Sequence, residues 1–248
     1  MNNTSTLATE PTTAGWPPAA TAALTAALAF MLPQHGTILE SGVQEPKIAY
    51  ALAARAIQVV RLNLCQHPAH PPLSMKVTGQ PETFPFAAAS FGGVYTINAA
   101  KSITDPHQTV AEVRRVLEPN GLYINGIHYE VASDISNSMT VGWEIILKRN
   151  TIAKQKEPQI RLRLAFETAL RESGASVETV QICRWSESFS PRQSLKTIAA
   201  QADRWKTSAE LFEQCLHDYE RWLKAQYADL DTRLDRIREI TIQIWRWQ

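Results

Sequence analysis

Short apolar runs alternate with helical patterns in the first half of the chain. Five runs are typical of strands: residues 37–40, 58–62, 75–78, 94–98 and 122–128. Pro17 and Pro18 open a predicted helix that extends to about Leu32, and further helices are predicted over residues 46–56 and 106–117. This alternation predicts an α/β protein with a parallel sheet and right-handed crossovers.

The pattern changes after about Ala132. Residues 139–149 fit no single pattern, a helix is predicted over 159–171, and residues 176–185 alternate like a strand. Two helices are predicted over residues 191–202 and 209–227, followed by a last strand over 239–247. We expect the last two strands to pair antiparallel, with the segment at about 190–232 folded over the sheet crevice as a helical lid.

Several helix ends are marked by punctuating residues. Asp105 precedes the helix at 106–117 and Gly121 is predicted to end it. Thr207 and Glu210 have the spacing of a capping box for the helix at 209–227.

Composition limits the class of protein. With 248 residues and a formal net charge of +1, the chain suits one domain over residues 16–248 without an electrostatic footprint for nucleic acid. Residues 1–15 have little to bury and are predicted to be disordered. The three separated cysteines suit a reducing cytoplasm, and no run suits a membrane span or a signal peptide. The oligomeric state is left open, including a homo-oligomer.

The stretch Thr37–Pro46 runs from an apolar strand through Glu40 and Gly42 into a helical pattern. It resembles the first motif of class I S-adenosylmethionine-dependent methyltransferases, of the type 11-like branch, in which an acidic residue precedes three alternating glycines. The likeness continues through residues 59–63, 78–86, 89–91, 105–106 and 112–121, and the closing segment 244–247 is also similar.

The resemblance implies a Rossmann-like class I methyltransferase fold. Such a fold has a mostly parallel seven-stranded sheet with an antiparallel last strand, here with the helical lid. Residues 16–131 would form the cofactor half and residues 132–248 the C-terminal half. The implied cofactor is S-adenosylmethionine, and the implied partner is a small-molecule substrate, with no nucleic acid or membrane.

The predicted cofactor-binding motif is degenerate. Gly42 matches the first glycine of the motif, but Gln44 and Pro46 replace the second and third. Two side chains therefore intrude where the backbone should approach the cofactor, and proline removes one N–H donor. Glu45 adds negative charge close to Glu40. The alternative is that residues 44–46 are only a hydrogen-bonded turn and helix cap.

Further cofactor contacts are predicted at other strand ends. Asn63 stands where the family carries an acid for the ribose hydroxyls, and Gln80 where it carries one near the adenine amine. Glu40 and Asn98, at the ends of the first and fourth strands, complete the predicted contacts. The alternative is that Asn63 and Gln80 are solvated loop residues.

Three residues at strand ends are candidate catalytic groups. Lys101 follows the fourth strand, and His128 and Tyr129 end the fifth, where a general base or an orienting group would lie. The alternative is a His–Tyr pair packed under the lid. His67 and His70 lack a third ligand at metal spacing, so no metal site is predicted. Five late tryptophans form either core packing or an aromatic substrate wall: Trp185, Trp205, Trp222, Trp245 and Trp247.

Three functions fit these patterns. The favoured one is a methyltransferase-fold protein, a pseudo-methyltransferase or repurposed enzyme, that binds or acts on a small apolar or aromatic molecule with weakened or absent cofactor binding. The second is an active S-adenosylmethionine-dependent small-molecule methyltransferase. The third is a non-catalytic interaction partner.

Overall fold

A computed structural model describes residues 16–41, 47–63, 75–98, 103–131, 134–152, 158–200, 202, 205 and 207–247. The helices are α1 (Pro18–Met31), α2 (Lys47–Ala53), α3 (Pro106–Val116), α4 (Asp134–Arg149), α5 (Pro158–Glu172), α6 (Pro191–Ala199) and α7 (Ala209–Gln226). The strands are β1 (Thr37–Ser41), β2 (Gln58–Asn63), β3 (Met75–Thr78), β4 (Phe91–Ile97), β5 (Leu117–Val131), β6 (Ala175–Phe189) and β7 (Leu234–Trp247).

The strands form one seven-stranded sheet in the order β3-β2-β1-β4-β5-β7-β6. The pairs β2–β3, β1–β2, β1–β4 and β4–β5 are parallel. β6 and β7 are antiparallel. Ser176, near the start of β6, donates to the carbonyl oxygen of Arg246, near the end of β7. Glu187, near the end of β6, accepts from Arg236, near the start of β7. The prediction of a mostly parallel sheet with antiparallel last strands is therefore confirmed.

The strand order places the carboxyl ends of β1, β2 and β4 at one edge of the sheet. Buried apolar residues fill these strands, and every residue of β4 is buried. Such runs are typical of parallel strands that are covered on both faces. The polar side chains that end the strands are therefore held on a rigid support.

Two predicted helix ends are wrong. Asp105 caps α3 as predicted, its carboxylate accepting from the Gln108 N–H, but α3 ends at Val116 and Gly121 lies within β5. The cap of α7 is Ser208, not Thr207, because the Ser208 hydroxyl accepts from the Leu211 N–H. A capping box that the sequence analysis missed joins Ser190 and Gln193 at the start of α6.

Some other helices and strands are longer or shorter than predicted. The ambiguous segment at 139–149 is part of α4, which ends at Arg149. The strand predicted at 122–128 is the middle of the longer β5, and the helix predicted at 46–56 is only α2 within the described residues.

The chain divides into two compact units, which we describe separately. The sheet unit contains described residues 16–128, 158–183 and 239–247, and its core includes Leu39, Val94 and Trp245. The helical unit contains described residues 129–152 and 184–238, and its core includes Trp143 and the predicted apolar face of α7. The lid stays a prediction.

No helix among the described residues is long and apolar enough to cross a membrane. Cys183 and Cys215 are free thiols, and Cys65 lies outside the described residues.

Candidate functional site

A row of three polar residues crosses β2, β1 and β4 near their carboxyl ends. Glu40 is in register with Arg61 on one side and with Tyr95 on the other. All three side chains are buried in the sheet unit. Because register partners in adjacent strands point to the same face, the row forms a continuous polar strip beneath the end of β1.

Glu40 and Arg61 form a buried ion pair, with 2.8 Å between Arg61 Nε and Glu40 Oε2. Burial raises the pKa of the Glu40 carboxyl to about 7, and the charge and hydrogen bond of Arg61 oppose that rise. Burial and then the Glu40 charge raise the pKa of Tyr95 well above its usual value. The carboxylate charge is therefore either neutralised by Arg61 or removed by protonation.

Two polar atoms of this strip have no partner of standard hydrogen-bond geometry. They are Glu40 Oε1 and the Tyr95 hydroxyl, which are both buried and interact with each other, an interaction that lowers the pKa of Glu40 and raises that of Tyr95.

His128 is held by contacts from two other parts of the sheet unit. Trp16 Nε1 lies 3.1 Å from His128 Nδ1, and the rings meet edge to face at 5.3 Å. An indole N–H can only donate, so Nδ1 is the acceptor and the neutral imidazole carries its proton on Nε2. Trp16 thus fixes both the orientation and the tautomer of His128.

Asn98 fixes the backbone at the same position. Its Oδ1 accepts from the His128 N–H at 3.0 Å, and its own N–H donates to the Gly126 carbonyl oxygen at 2.9 Å. Asn98 has a φ of +50°, a left-handed conformation that asparagine tolerates better than most residues. The side-chain oxygen of this predicted cofactor contact is therefore engaged within the protein.

The remaining predicted site residues are placed as follows. Tyr129 is half-buried on β5 in the helical unit, directly after His128. Gln80 is exposed, and its backbone forms an isolated bridge with Thr83. Asn63 is the last residue of β2, in register with Thr78. Gly42, Gln44 and Lys101 lie outside the described residues.

Four charged side chains form a closed cluster in the helical unit. Glu187 Oε2 accepts from Arg236 Nε at 3.0 Å and from Arg238 Nε at 2.8 Å. Glu130 Oε2 lies 3.6 Å from Arg236 and 3.4 Å from Arg238. Partial burial opposes ionisation of Glu187, but the two arginines hold the pKa of its carboxyl below the usual value. The two arginines therefore favour the ionised form of Glu187.

A cavity of about 320 Å³ lies next to this cluster, within the helical unit. Glu130, Glu187 and Arg236 line one part of it, and residues of α6 line another. The cavity could not be predicted from local sequence patterns, because its walls come from six elements: β5, β6, β7, α4, α6 and α7.

Most described tryptophans are core residues. Trp143 is fully buried and packs edge-on against Trp205, Phe212 and Tyr219. Trp222 stacks on Tyr219 with 5.9 Å between ring centroids. Within the described residues of the helical unit, the aromatic rings therefore mainly pack against one another, and Tyr219 also lines the cavity.

Among the described residues, no three histidine, cysteine or acidic side chains are grouped to hold a metal ion. The His67 and His70 pair lies outside them.

Residues 39–125 match a family model described as a methyltransferase domain. No curated protein matches the chain. Solved structures with a similar fold include a protein from Anaeromyxobacter dehalogenans that is proposed to be a type II methyltransferase. The alignment has a TM-score of 0.59 at 14% identity and covers 90% of this chain and 95% of that one.

Two other structures are similar over most of their length. The YcgJ protein from Bacillus subtilis aligns with a TM-score of 0.52 at 12% identity, covering 93% of this chain and 98% of that one. The [4+2]-cyclase SpnF aligns with a TM-score of 0.50 at 15% identity, covering 96% of this chain and 84% of that one. At these identities the likeness concerns the fold.

Proposed function

We propose that this chain, whose residues 39–125 match a methyltransferase domain and whose fold is Rossmann-like, binds or acts on a small apolar or aromatic molecule. In this proposal S-adenosylmethionine binding is weakened or lost. The single observation that carries the proposal is the buried Glu40–Arg61 ion pair.

The physical reason is electrostatic. S-adenosylmethionine has a cationic sulfonium, an ammonium and a carboxylate, so a site that holds it gains from a net negative charge. The carboxylate of Glu40, the acidic residue of the first motif, is compensated by Arg61 at 2.8 Å. Its pKa of about 7 further lowers the ionised fraction near neutral pH. The end of β1 therefore offers little attraction to a cation.

The described residues fit the usual grip on this cofactor poorly. Glu40 is engaged by Arg61, and the side-chain oxygen of Asn98 is engaged by the His128 backbone. Gln80 is exposed to solvent. In addition, Gln44 and Pro46 replace two glycines of the first motif. We therefore derive no step that uses the cofactor.

His128 serves in this proposal as an orienting group. Its Nδ1 lone pair is engaged by Trp16, so that nitrogen is not available as a general base. Tyr129 and Lys101 remain candidates for contact with the substrate. The fold itself does not require methyl transfer, because one scaffold hosts many reactions. The similar fold of a [4+2]-cyclase is one such case.

Isothermal titration of the whole protein with S-adenosylmethionine and S-adenosylhomocysteine tests the proposal. We expect dissociation constants weaker than about 1 mM, equivalent to about 4 kcal/mol of binding free energy. The triple variant Gln44→Gly, Pro46→Gly and Asn63→Asp should gain affinity, and adding Glu40→Gln should change that gain little, because the Glu40 charge is already compensated by Arg61. A micromolar dissociation constant for the unmodified protein would contradict the proposal.

The second candidate is an active small-molecule methyltransferase. The match to a methyltransferase domain, which spans residues 39–125, favours it. It predicts micromolar binding of the cofactor and transfer of an isotope-labelled methyl group to an apolar or aromatic acceptor. The same titration therefore separates the two candidates.

A further inference from the structure

The cavity in the helical unit has the size of a small-molecule site. Its volume is about 320 Å³, at the lower end of the range of roughly 300–1,000 Å³ that such sites occupy. Met139, Phe189 and Ile198 are buried and give it an apolar wall. An apolar ligand body of one or two rings would be desolvated against that wall.

The charges of the neighbouring cluster are already compensated. Two arginines and two glutamates pair among themselves through Glu187 Oε2 and Glu130 Oε2. Arg236 is also placed over the Phe189 ring, with Cζ 5.2 Å from the ring centroid. A ligand charge is therefore not needed to neutralise this side of the cavity.

Lys196 is the cavity-lining cation outside that cluster. It is exposed on α6, and its ammonium forms no hydrogen bond or ion pair with any described residue. Asp231 is the acid whose pKa its charge helps to lower, but the Asp231 carboxylate is bonded by Arg192 at 2.7 and 2.8 Å. A positive charge outside any ion pair thus borders the cavity.

Gln193, also on α6, provides a second, neutral hydrogen-bond donor beside Lys196. Gln193 Oε1 accepts from the Ser190 N–H at 2.8 Å, which leaves the Gln193 amide N–H₂ as a donor. Gln193 and Lys196 are three residues apart on α6, so their side chains are neighbours on one side of the helix. Both line the cavity.

We propose that this cavity binds a small apolar molecule that carries one anionic group, a carboxylate or a phosphate. The apolar body packs against Met139, Phe189 and Ile198, and the anion accepts from the Lys196 ammonium and the Gln193 amide. This inference goes beyond the proposed function, because it assigns a ligand class to a cavity in the helical unit that the proposed function does not use.

Titrations with matched probes test the inference. The probes are 2-naphthoate, 2-naphthyl phosphate and the neutral 2-naphthylmethanol, which share one ring system. We expect one of the two anions to bind the unmodified protein about fivefold more tightly than the alcohol, as an exposed ion pair allows. The tighter anion identifies which anionic group the cavity takes.

Lys196→Gln should remove the preference and leave the affinity for the alcohol unchanged. Lys224→Gln is the matched control, because Lys224 is an exposed residue of α7 that pairs with Glu220 outside the cavity lining. Ile198→Trp should fill the cavity and weaken all three probes, with folding checked by circular dichroism.

Equal affinities for anion and alcohol in the unmodified protein would overturn the inference, and so would an unchanged preference in Lys196→Gln. Unchanged binding in a folded Ile198→Trp variant would place the probes elsewhere and also overturn it. These outcomes are read without S-adenosylmethionine. Tight binding of that cofactor would overturn the proposed function instead, so the two failures are distinguishable.

Discussion

Trp16 and His128 are joined by a hydrogen bond of 3.1 Å although 112 residues separate them in the chain. The bond joins the segment before α1 to β5 and fixes the His128 tautomer. It therefore links the start of the described chain to a predicted site residue.

Trp16→Phe tests this link. The change keeps most of the ring packing but removes the N–H donor, so the free energy of unfolding should fall by about 1 kcal/mol. The His128 ring nitrogens should change from one tautomer to a mixture, measured by nitrogen-15 NMR. Trp247→Phe is the control, since it removes a bond of 2.8 Å to Ser173 Oγ and should leave the His128 signals unchanged. An unaltered His128 spectrum in Trp16→Phe would contradict the assignment.

Stability should fall as the pH rises through the range in which Glu40 titrates. Its pKa is raised by burial from 4.5 to about 7, so between these values the folded state holds a proton that the unfolded state has lost. The associated stability is complete below pH 4.5 and is lost as the pH rises through 7. Its magnitude is about 3 kcal/mol.

Urea unfolding of the unmodified protein and of Glu40→Gln, from pH 4.5 to 8, measures this effect. The stability of the unmodified protein relative to Glu40→Gln should decline over that range. Glu118→Gln, at an exposed position, is the control and should keep the slope of the unmodified protein. Parallel profiles for the unmodified protein and Glu40→Gln would exclude a raised pKa at Glu40.

Glu187→Gln should destabilise the helical unit. The glutamine would leave the nearly buried Arg238 with only the more distant Glu130, which we expect to cost about 1–2 kcal/mol at pH 7. Because the pKa of Glu187 is lowered, its contribution is present above the unfolded value and is lost as the pH falls through the folded one. The difference between the two proteins should therefore vanish in acid.

Glu178→Gln is the matched control for that change. Glu178 lies on the same strand, but its 3.5 Å pair with Arg246 is exposed, so the loss should stay below about 0.5 kcal/mol. Denaturant unfolding at pH 7 measures both variants. Equal losses at the two positions would show that the cluster adds nothing beyond a surface ion pair.

Gly142→Ala should destabilise α4. A Cβ at position 142 would lie 2.6 Å from the Trp222 ring, so the ring must move, at a cost of about 1–3 kcal/mol. In a Trp222→Leu background the same change should become neutral or stabilising, because alanine favours a helix over glycine by about 1 kcal/mol. A double-mutant cycle by urea unfolding measures the coupling. Additive effects would contradict the contact.

The sequence predicted the fold well because strands and helices depend on local patterns. β3 has the predicted bounds, and α1, α3 and α7 begin within one residue of the predicted positions. The end of α3 was wrong because Gly121 was interpreted as a helix stop. In the structure it continues β5 beside Asn120, which takes the positive φ of +64° itself.

The site was only partly predictable. Glu40 is the next-to-last residue of β1 and Asn98 directly follows β4, as the sequence predicted, but His128 lies within β5, which continues to Val131. Their partners Arg61, Tyr95 and Trp16 were missed. The available signal for Arg61 was a charged residue inside the apolar β2. An arginine in a buried strand needs an acidic partner at the matching register position of a neighbouring strand.

The local sequence pattern, together with residues such as proline and aspartate at helix starts, determined the order of strands and helices by itself. Only the tertiary structure decided the Glu40–Arg61 pair, the Trp16–His128 bond, the cluster around Glu187 and the cavity beside it. The physical reason is that each of these depends on strand register or on the packing of elements distant in the chain. The partner of a buried charge or donor is set by the distance between the two side chains in the folded protein, and a single sequence does not contain that distance.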